Sequence, residues 1–496
     1  MGRSWIHSLP AVIAAIAWAW PLHGAEPEIM QPAASRDQAL TPCRLPDLSR
    51  PAKCGVFEVP ENPDRPNGRQ LAIHVAVVPA QSEASLDDPI VVLMGGPGEA
   101  AISAAAYFAE RLEPLLQERD LLLVDQRGTG RSASLQCKLY SPEEAATNLQ
   151  DFFPLAAVRR CAQAVSAGTD LSQYTYAHLA RDLEHVRQAL GYGKLNLNSG
   201  SYGTRAAQVY IRMFLQNVRT VYFGSAVPMD VTIPLPLARA AQQAMEKTFD
   251  TCAADAECHA AFPKLPMEFR EILARLDSGV NVAIPELGDS LPLSRGRVAE
   301  FLRARLYRVE GAATVPWLIH QAHAGNWTPI VDGILAGARQ RDSEISFGLF
   351  FSIACNEDIA FIDEADVAAS AQGTFVGDYR VRQQQAACKG WPESELAPDY
   401  REPVRSSVPA LFSSGDSDPA SPLWFTGRVA ANFPNRIEVL MRNQGHTEWN
   451  DCLGQLHERF VRTGTVEGLD ASACAPVPRT PFKTRPAPPG LAYLNQ

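Results

Sequence analysis

Residues 193–203 read GKLNLNSGSYG, an apolar run that ends in a turn of small residues around a serine. Two other stretches follow the same plan, PIVVLMGGPG at 89–98 and DLLLVDQRGTG at 120–130. Short runs rich in Val, Leu and Ile that end in glycine-bearing turns are typical of buried parallel strands. Apolar residues at helical spacing in 100–118 and 177–191 place helices between these strands. The alternation predicts an α/β fold, with a mostly parallel sheet and helices on both faces.

The sheet is predicted to resume near the other end of the chain. Strands that run into polar turns are expected at 219–227, 408–422 and 436–446, and an antiparallel hairpin at 54–79. The long gap between the strand patterns at 219–227 and 408–422 carries mostly helical patterns, which we interpret as a helical cap inserted over the sheet. The predicted domains are a first part of the core at 26–230, a helical cap insertion at 231–404, and a second part of the core with a cysteine-bounded C-terminal segment at 405–496.

The first 25 residues resemble a secretory signal peptide. Arg3 precedes an apolar stretch from Leu9 to Leu22, and small residues follow it up to Ala25. The apolar stretch is shorter than the ~20 residues that a membrane span needs, which makes a retained anchor the less favoured alternative. We therefore expect cleavage near Ala25, a secreted or periplasmic protein, and no stable membrane insertion.

The charge balance argues against a nucleic-acid partner. The chain has 45 basic and 55 acidic residues, and removal of residues 1–25 takes away one basic and no acidic residue, so the mature net charge is 44 − 55 = −11. A surface of this sign repels a phosphate backbone.

The chain contains ten cysteines, an even number behind an export signal, which indicates disulfides formed in an oxidising compartment. Pairing of sequence neighbours is one possible arrangement, and one or two free buried thiols are the alternative. No C-x-x-C or H-E-x-x-H motif is present, so we expect no zinc site, and nothing calls for another metal or an organic cofactor. The cysteines fall in the order Cys43, Cys54, Cys137, Cys161, Cys252, Cys258, Cys355, Cys388, Cys452, Cys474.

Ser201 is the candidate nucleophile. It stands in S-G-S-Y-G between a predicted strand and a predicted helix, close to the G-x-S-x-G elbow that holds a serine hydroxyl above a sheet. Small neighbours suit a tight, strained turn, and the helix directs its first N–H groups toward an anion formed there. Ser199 replaces the leading glycine of the elbow, so the turn taken alone could equally be an ordinary one.

Asp418 and His446 are the candidate partners of this serine. Asp418 lies in GDSDP and His446 in NQGHTEW, each directly after a predicted late strand. An imidazole takes the serine proton, and a carboxylate holds the imidazole in the right tautomer and stabilises its charged form. The order Ser, Asp, His along the chain is that of α/β hydrolases. Asp416, two residues earlier, is a rival for the aspartate role.

The glycine-rich turn MGGPGEAA at 94–101 is the candidate oxyanion loop. A serine nucleophile forms a tetrahedral oxyanion, which needs backbone donors from the residue after the nucleophile and from the loop after an earlier strand. The N–H groups of Tyr202 and Gly96 are the candidates, with Gly95 as the alternative to Gly96. A plain glycine turn would explain two of these glycines but not the whole run.

Together these motifs resemble the secreted prolyl and tripeptidyl aminopeptidase-like serine hydrolases of the α/β-hydrolase fold. The resemblance covers about residues 50 to 450. The matching motifs, in family order, are GGPG (95–98), DQRGTGRS (125–132), ARDLEHVRQALG (180–191), SGSYGTR (199–205), GDSDPASP (415–422) and GH (445–446).

The resemblance implies an α/β-hydrolase fold with a large, mainly helical cap insertion, and a triad of Ser201, Asp418 and His446. The segment at 452–476 is similar to the cysteine-bounded C-terminal segment of the tripeptidyl branch, which implies that Cys452 pairs with Cys474. Prolyl aminopeptidases have a histidine before the two glycines, whereas this chain has Met94, which favours the tripeptidyl branch.

An enzyme that cuts from a free N-terminus needs carboxylates to bind the substrate ammonium group. In SIACNEDIAF (352–361), Glu357 and Asp358 follow Cys355 in a stretch similar to the A-I-x-C segment of the family. We predict an amine site there, with a solvated acidic turn as the alternative. Glu99, beside the oxyanion loop, is a further candidate.

The sequence thus predicts a secreted serine exopeptidase that releases short peptides or single residues from free N-termini through an acyl-enzyme. Its partners are peptide substrates with free N-termini. A carboxylic ester hydrolase with the same triad is the alternative, since fold and triad do not fix the acyl group. A hydrolase fold without activity, used only for binding, is disfavoured by the intact set of candidate residues.

Overall fold

A computed structural model describes residues 1–2, 39–141, 144–284, 289–474 and 476–485. The predicted signal peptide at 1–25 therefore lies, beyond its first two residues, outside the described residues. Every element described below belongs to one compact unit.

The strands form one large mixed sheet and a separate hairpin. Within the described residues the large sheet has nine strands in the order β1-β2-β3-β5-β4-β6-β7-β10-β11, and β8 pairs only with β9. The strands are β1 (Thr41–Cys43), β2 (Ala52–Pro60), β3 (Gln70–Val78), β4 (Leu86–Leu93), β5 (Arg119–Val124), β6 (Leu195–Gly200), β7 (Val218–Gly224), β8 (Val280–Ile284), β9 (Asp289–Leu293), β10 (Ala410–Gly415) and β11 (Arg436–Met441).

The sheet is parallel from β5 through β4, β6, β7 and β10 to β11, whereas β1, β2 and β3 run antiparallel to their neighbours. The predicted hairpin at 54–79 is the β2–β3 pair, in which Val56 lies opposite His74. Ala410 of β10 pairs with Val221 of β7. The strand predicted at 408–422 therefore extends the same sheet. The predicted mostly parallel α/β sheet is confirmed.

Seventeen α-helices lie within the described residues. They are α1 (Ala105–Arg111), α2 (Ala145–Asn148), α3 (Leu155–Val165), α4 (Tyr176–Ala189), α5 (Gly203–Phe214), α6 (Leu237–Ala254), α7 (Ala256–Ala261), α8 (Leu265–Asp277), α9 (Arg295–Arg305), α10 (Val309–Ala312), α11 (Val315–His323), α12 (Thr328–Glu344), α13 (Phe347–Glu357), α14 (Glu364–Ala371), α15 (Tyr379–Cys388), α16 (Leu423–Ala430) and α17 (Asp451–Thr463). None of them is long and apolar enough to cross a membrane.

Helices cover both faces of the sheet, because its central strands are apolar on both sides. In β5, Leu122 packs into the cluster that contains Leu183 of α4, whereas Leu121 packs into the cluster on the other face with Leu112 and Phe460 of α17. A parallel strand with a near-continuous apolar run is stable only when both of its faces are buried. The buried sheet fixes the loops at its carboxyl edge relative to one another.

The segment at 231–404, called the cap below, is mainly helical and has a core of its own. Met245 of α6, Ile272 of α8, Leu302 of α9 and Ile319 of α11 share an apolar cluster separate from those of the sheet. Helix α13 differs, because Phe351 packs into the cluster of the sheet instead. The domain boundaries at 230 and 404 stay predictions.

The cap is joined by backbone hydrogen bonds to the loops at the carboxyl edge of the sheet. The Ser346 N–H donates to the carbonyl oxygen of Gly98 at 2.9 Å, and Glu99 forms an isolated antiparallel bridge with Ile345. These bonds hold the start of α13 against the glycine-rich turn that follows β4.

The ten cysteines form five disulfides, each between neighbours in the sequence. Three lie in the sheet and its surroundings and two in the cap. The pairs are Cys43–Cys54, Cys137–Cys161, Cys252–Cys258, Cys355–Cys388 and Cys452–Cys474. The alternative with one or two free thiols is wrong, because each cysteine is disulfide-bonded to its neighbour in the cysteine order.

Candidate active site

The candidate catalytic residues follow strands that end at one edge of the sheet. Leu93 of β4 is paired with Ser199 of β6, and Gly415 of β10 with Met441 of β11. Parallel strands in register present their carboxyl ends together, which is where open α/β sheets bind ligands. The turns after β4, β6, β10 and β11 therefore meet.

Ser201 lies in a strained turn between β6 and α5. Its backbone has φ +54°, a left-handed conformation that is uncommon for a residue with a side chain. The Ser201 N–H donates to the carbonyl oxygen of Gly224 at 2.9 Å, and the Ser201 carbonyl accepts from the Thr204 N–H at 3.0 Å. A Cβ at Gly203 would lie 2.2 Å from the carbonyl oxygen of Leu93, so only glycine fits there. The turn thus raises the Ser201 side chain above the sheet edge.

Ser199 has a structural function in place of the elbow glycine. Its side chain is buried, and its hydroxyl donates to the Tyr222 carbonyl oxygen of the neighbouring strand β7 at 2.6 Å. The extra hydroxyl is therefore satisfied inside the protein rather than directed at the site. The departure from the glycine pattern leaves the shape of the turn intact.

The three candidate side chains form a hydrogen-bonded chain. Ser201 Oγ lies 2.7 Å from His446 Nε2, and His446 Nδ1 lies 2.8 Å from Asp418 Oδ2. A carboxylate accepts only, so Nδ1 carries the proton toward Asp418, and Nε2 is left to accept from the serine hydroxyl. Asp418 and His446 are only 4% and 6% exposed, which shields both hydrogen bonds from water. The arrangement can transfer a proton from Ser201 to His446 during nucleophilic attack.

Backbone donors hold Asp418, and its rival has a different environment. Asp418 Oδ1 accepts from the N–H groups of Ala420 and Ser421, both at 2.8 Å, which leaves Oδ2 for the imidazole. Asp416 instead pairs with Lys247, at 2.6 Å. The structure brings Asp418, and not Asp416, to His446.

The cap holds the loop of His446 through Tyr307, a residue that sequence reasoning missed. The His446 N–H donates to the carbonyl oxygen of Tyr307 at 2.7 Å, and the two rings meet edge to face with centroids 4.9 Å apart. Nothing in the sequence around Tyr307 marks it, because the contact joins residues 139 positions apart (446 − 307). The histidine is therefore oriented by the cap as well as by the sheet.

The glycine-rich turn after β4 lies directly beside the nucleophile. A Cβ at Gly95 would be 3.4 Å from Ser201 Cβ and 3.5 Å from the Tyr202 nitrogen. Gly96 has φ +103°, a conformation that favours glycine. Tyr202 precedes α5, where the first N–H groups of a helix have no partner within the helix. Gly95 and the Tyr202 nitrogen therefore lie beside Ser201, and the oxyanion role of the Gly96 and Tyr202 N–H groups stays a prediction.

Glu357 and Asp358 lie inside the protein, 2% and 1% exposed. Asp358 accepts from the Arg205 guanidinium at 2.9 Å and from the Tyr202 hydroxyl. Glu357 accepts from the Tyr176 N–H at 2.9 Å and from the Tyr400 hydroxyl. The predicted amine-binding role conflicts with this placement, because an ammonium group would have to displace these partners. Asp358 instead anchors the side chain of Tyr202, next to Ser201.

Burial gives Glu357 a measurable effect on stability. Loss of hydration raises its pKa from an ordinary 4.5 to about 7, against the opposing hydrogen bonds from Tyr400 and Tyr176. The folded protein holds this proton more tightly than the unfolded chain does. The resulting stabilisation is full below pH 4.5 and is lost as the pH rises through about 7, an effect of ~3 kcal/mol.

Glu357→Gln is expected to remove this pH dependence, since an amide keeps the shape and needs no charge. Denaturant unfolding of both proteins at pH 5 and pH 8.5 gives their free energies of unfolding. The value for the variant, relative to that for the wild type, should be higher at pH 8.5 than at pH 5. Glu393→Gln, at an exposed position, serves as the control and should follow the wild type. Parallel pH profiles for wild type and Glu357→Gln would contradict the assigned environment.

Glu99, the remaining candidate for amine binding, lies beside the glycine-rich turn. Its Cγ would be 3.4 Å from a Cβ at Gly96, and its side chain is partly exposed. Burial and the nearby Glu344 raise the pKa of this carboxyl, against the attraction of His446. Of the three predicted acids, the structure brings only Glu99 next to the oxyanion loop with its side chain partly open.

Clusters of three or more His, Cys, Asp or Glu side chains that could hold a metal ion are not found among the described residues. The expectation that the site needs no metal or organic cofactor stays a prediction. The groups named above include candidates for a nucleophile, a base, an orienting carboxylate and backbone donors.

The model of the alpha/beta hydrolase fold family matches residues 88–447 of this chain. That range contains Ser201, Asp418 and His446 together with the cap.

Two of the curated relatives that this chain resembles are named as peptidases. The serine protease Hip1 of Mycobacterium tuberculosis is 31% identical over 260 residues, which are 47% of this chain and 48% of the relative. A tripeptidyl aminopeptidase of Streptomyces lividans is 28% identical over 197 residues, 36% of each chain. The chain thus spans about half the length, or less, of these curated relatives.

Among solved structures, a proline iminopeptidase of Mycobacterium smegmatis is 14% identical, with a TM-score of 0.37, and the match covers 83% of this chain and 98% of that one. A likeness at this level carries no argument about substrate.

Proposed function

Since this chain belongs to the α/β-hydrolase fold family and is a serine hydrolase of that type, we propose that it is an exopeptidase acting on unblocked N-termini. Ser201 is the nucleophile, His446 the general base and Asp418 the orienting carboxylate. The observation that carries the catalytic part of the proposal is the chain of two short hydrogen bonds from Ser201 through His446 to Asp418. Relatives named as a serine protease and a tripeptidyl aminopeptidase support the choice of a peptide bond.

The reaction proceeds in two halves. Ser201 Oγ attacks the scissile carbonyl carbon while its proton passes to His446 Nε2, and Asp418 stabilises the imidazolium. The oxyanion accepts hydrogen bonds from the N–H groups of Gly96 and Tyr202. Collapse of the tetrahedral intermediate breaks the C–N bond, and His446 gives the proton to the leaving amine. Water, deprotonated by His446, then hydrolyses the acyl-enzyme and restores the Ser201 hydroxyl.

We propose that the reaction takes place outside the cytoplasm. Five disulfides persist in an oxidising compartment rather than a reducing one. The predicted signal peptide at 1–25 agrees with export. N-terminal sequencing of the mature protein, with a new N-terminus expected near residue 26, would test this assignment.

Exopeptidase action is tested by comparing substrates that differ only at the N-terminus. A tripeptidyl p-nitroanilide with a free amine is expected to be cleaved with a kcat/KM at least ~10-fold above that of its N-acetylated form, through loss of a charge-assisted hydrogen bond. Release of p-nitroaniline gives the rate directly, and p-nitrophenyl acetate in the same assay reports ester hydrolysis. Equal rates on free and acetylated peptides would contradict the proposal, and turnover of the ester alone would favour an esterase.

A further inference from the structure

Helix α9 of the cap and the turn after it carry three polar side chains at helical spacing. These are Glu300, Arg303 and Tyr307, separated by three and then four positions, which places them on one side of the helix. The Tyr307 N–H donates to the Ala304 carbonyl oxygen at 3.2 Å, so the last turn of the helix extends to Tyr307. The spacing allows the three side chains to contact one another in series.

Glu300 and Arg303 form an ion pair inside the cap. Arg303 donates through Nε and Nη2 to Glu300 Oε2, at 3.1 and 2.9 Å, and the Arg303 and Glu300 side chains are 5% and 0% exposed. Burial disfavours the charged carboxylate, but the guanidinium groups of Arg303 and Arg380 hold the pKa of Glu300 below its ordinary 4.5. The pair therefore stays ionised at neutral pH. Because the guanidinium is planar, two hydrogen bonds to one carboxylate also fix the direction of its remaining N–H groups.

One of these remaining N–H groups of Arg303 binds the side chain of Tyr307. Arg303 Nη1 donates to the Tyr307 hydroxyl oxygen at 2.9 Å, and the guanidinium carbon lies 5.2 Å from the centroid of the Tyr307 ring. A hydrogen bond from a charged donor is stronger than one between neutral groups. The Tyr307 ring is therefore held at its hydroxyl end and cannot tilt without breaking this bond.

The same ring of Tyr307 packs against the imidazole of His446. The ring centroids are 4.9 Å apart and the ring planes are inclined by 68°. A Cβ at Gly445 would lie 2.2 Å from the Tyr307 carbonyl oxygen, so the two backbones are also in close contact. Hydrogen bonds to Asp418 and Ser201 restrain the two ring nitrogens of His446. The aromatic contact restrains the remaining motion, which is the tilt of the imidazole about the line that joins those nitrogens.

We propose that Arg303, held by Glu300, is a positioning residue for the general base, because it fixes the Tyr307 ring against His446. This side-chain route is separate from the backbone hydrogen bond between Tyr307 and His446. Proton transfer requires the base to lie within hydrogen-bond reach of the serine hydroxyl, so a tilted imidazole slows every reaction that passes through it, whatever the acyl group. The role of Arg303 rests on the proposed function of His446 and is independent of any preference for free N-termini.

A double-mutant cycle tests this role. Tyr307→Phe removes the hydroxyl and keeps the ring and the backbone carbonyl, whereas Arg303→Met keeps the length of the side chain and removes the guanidinium. Each change is expected to lower kcat by ~10-fold through misplacement of the base, with KM within ~3-fold of the wild-type value. The double variant is expected to lose the same ~10-fold, because both changes break one contact, whereas independent effects would multiply to ~100-fold.

Two substrates and one control variant separate this role from a structural one. The kcat values for the tripeptidyl p-nitroanilide and for p-nitrophenyl acetate should fall by the same factor, because both reactions use His446. Arg380→Met is the matched control, since Arg380 donates to Glu300 at 3.1 Å and to Gln384 at 3.3 Å, and neither bond involves Tyr307. Its loss should lower the free energy of unfolding but leave kcat within ~3-fold of the wild-type value.

His446→Ala shows whether the base itself is correctly assigned. Wild-type kcat in His446→Ala overturns the proposed base and the role of Arg303 together. A large loss in His446→Ala, with wild-type kcat in Tyr307→Phe and Arg303→Met, overturns the role of Arg303 alone. Losses that multiply in the double variant, a fall confined to one substrate, or an equal fall of kcat in Arg380→Met also overturn it. If Arg303→Met does not fold, Tyr307→Phe decides: an equal loss of kcat on both substrates supports the role, and wild-type values oppose it.

Discussion

Ser201→Ala is expected to lower kcat by ~10⁶-fold and to abolish labelling by a fluorophosphonate probe, because it removes the hydroxyl proposed to form the acyl-enzyme. The fold should be retained, since the Ser201 side chain contributes to the turn only through its bond to His446. Activity on the preferred free-amine peptide and gel fluorescence of the probe, measured on the same preparation, test the prediction.

Ser199→Ala is the matched control, because it removes a hydroxyl two residues away in the same turn. Its hydroxyl bonds only to the Tyr222 carbonyl, so we expect normal labelling and a stability loss of ~1 kcal/mol. Labelling of the Ser201→Ala protein would exclude Ser201 as the nucleophile.

Asp418→Asn is expected to lower kcat by ~10⁴-fold with a small effect on KM. The amide oxygen can still accept from the Ala420 and Ser421 N–H groups, so the loop keeps its shape. The amide nitrogen then faces His446 Nδ1 and favours the tautomer that carries its proton on Nε2, where the base must be free. Steady-state kinetics on the free-amine peptide measure the effect.

Asp416→Asn separates the two aspartates of this loop. Asp416 pairs with Lys247 and accepts from the Asn443 N–H at 2.9 Å, and neither contact reaches His446. We expect less than a ~10-fold change in kcat for this variant, in line with loss of a partly exposed ion pair. A larger loss in Asp416→Asn than in Asp418→Asn would contradict the orienting role of Asp418.

The sheet and the three central residues could be predicted because each leaves a local signal. A parallel strand buried on both faces reads as an apolar run, and a tight turn after it reads as small residues, as at 193–203. Strand ends of one sheet share an edge, so Ser201, Asp418 and His446 could be brought together without knowledge of any distance. The β2–β3 hairpin could be predicted in the same way, from a local pattern of strand residues on both sides of a turn.

The rest depends on partners that are distant in the chain. Glu357 and Asp358 read as a solvated or substrate-facing pair, because their partners Arg205 and Tyr400 lie 153 and 43 positions away. Nothing in the sequence distinguishes Tyr307, which follows the end of a helix. Only the folded chain places its carbonyl oxygen next to the His446 N–H. In the sequence, Ser199 is a departure from the elbow pattern. Its structural role could not be predicted, because the acceptor of its hydroxyl belongs to the neighbouring strand.

The hydrogen bond from the His446 N–H to the Tyr307 carbonyl couples the cap to the proposed base. Engineers who exchange caps among α/β hydrolases to alter substrate range treat the cap as a detachable module. In this protein, a chimera that retains the Tyr307 turn would keep the hydrogen bond that orients His446. A chimera that replaces this turn would change the substrate pocket and also weaken the positioning of His446. The usable junction for such transplants therefore lies before the Tyr307 turn, not at the boundary of the sheet.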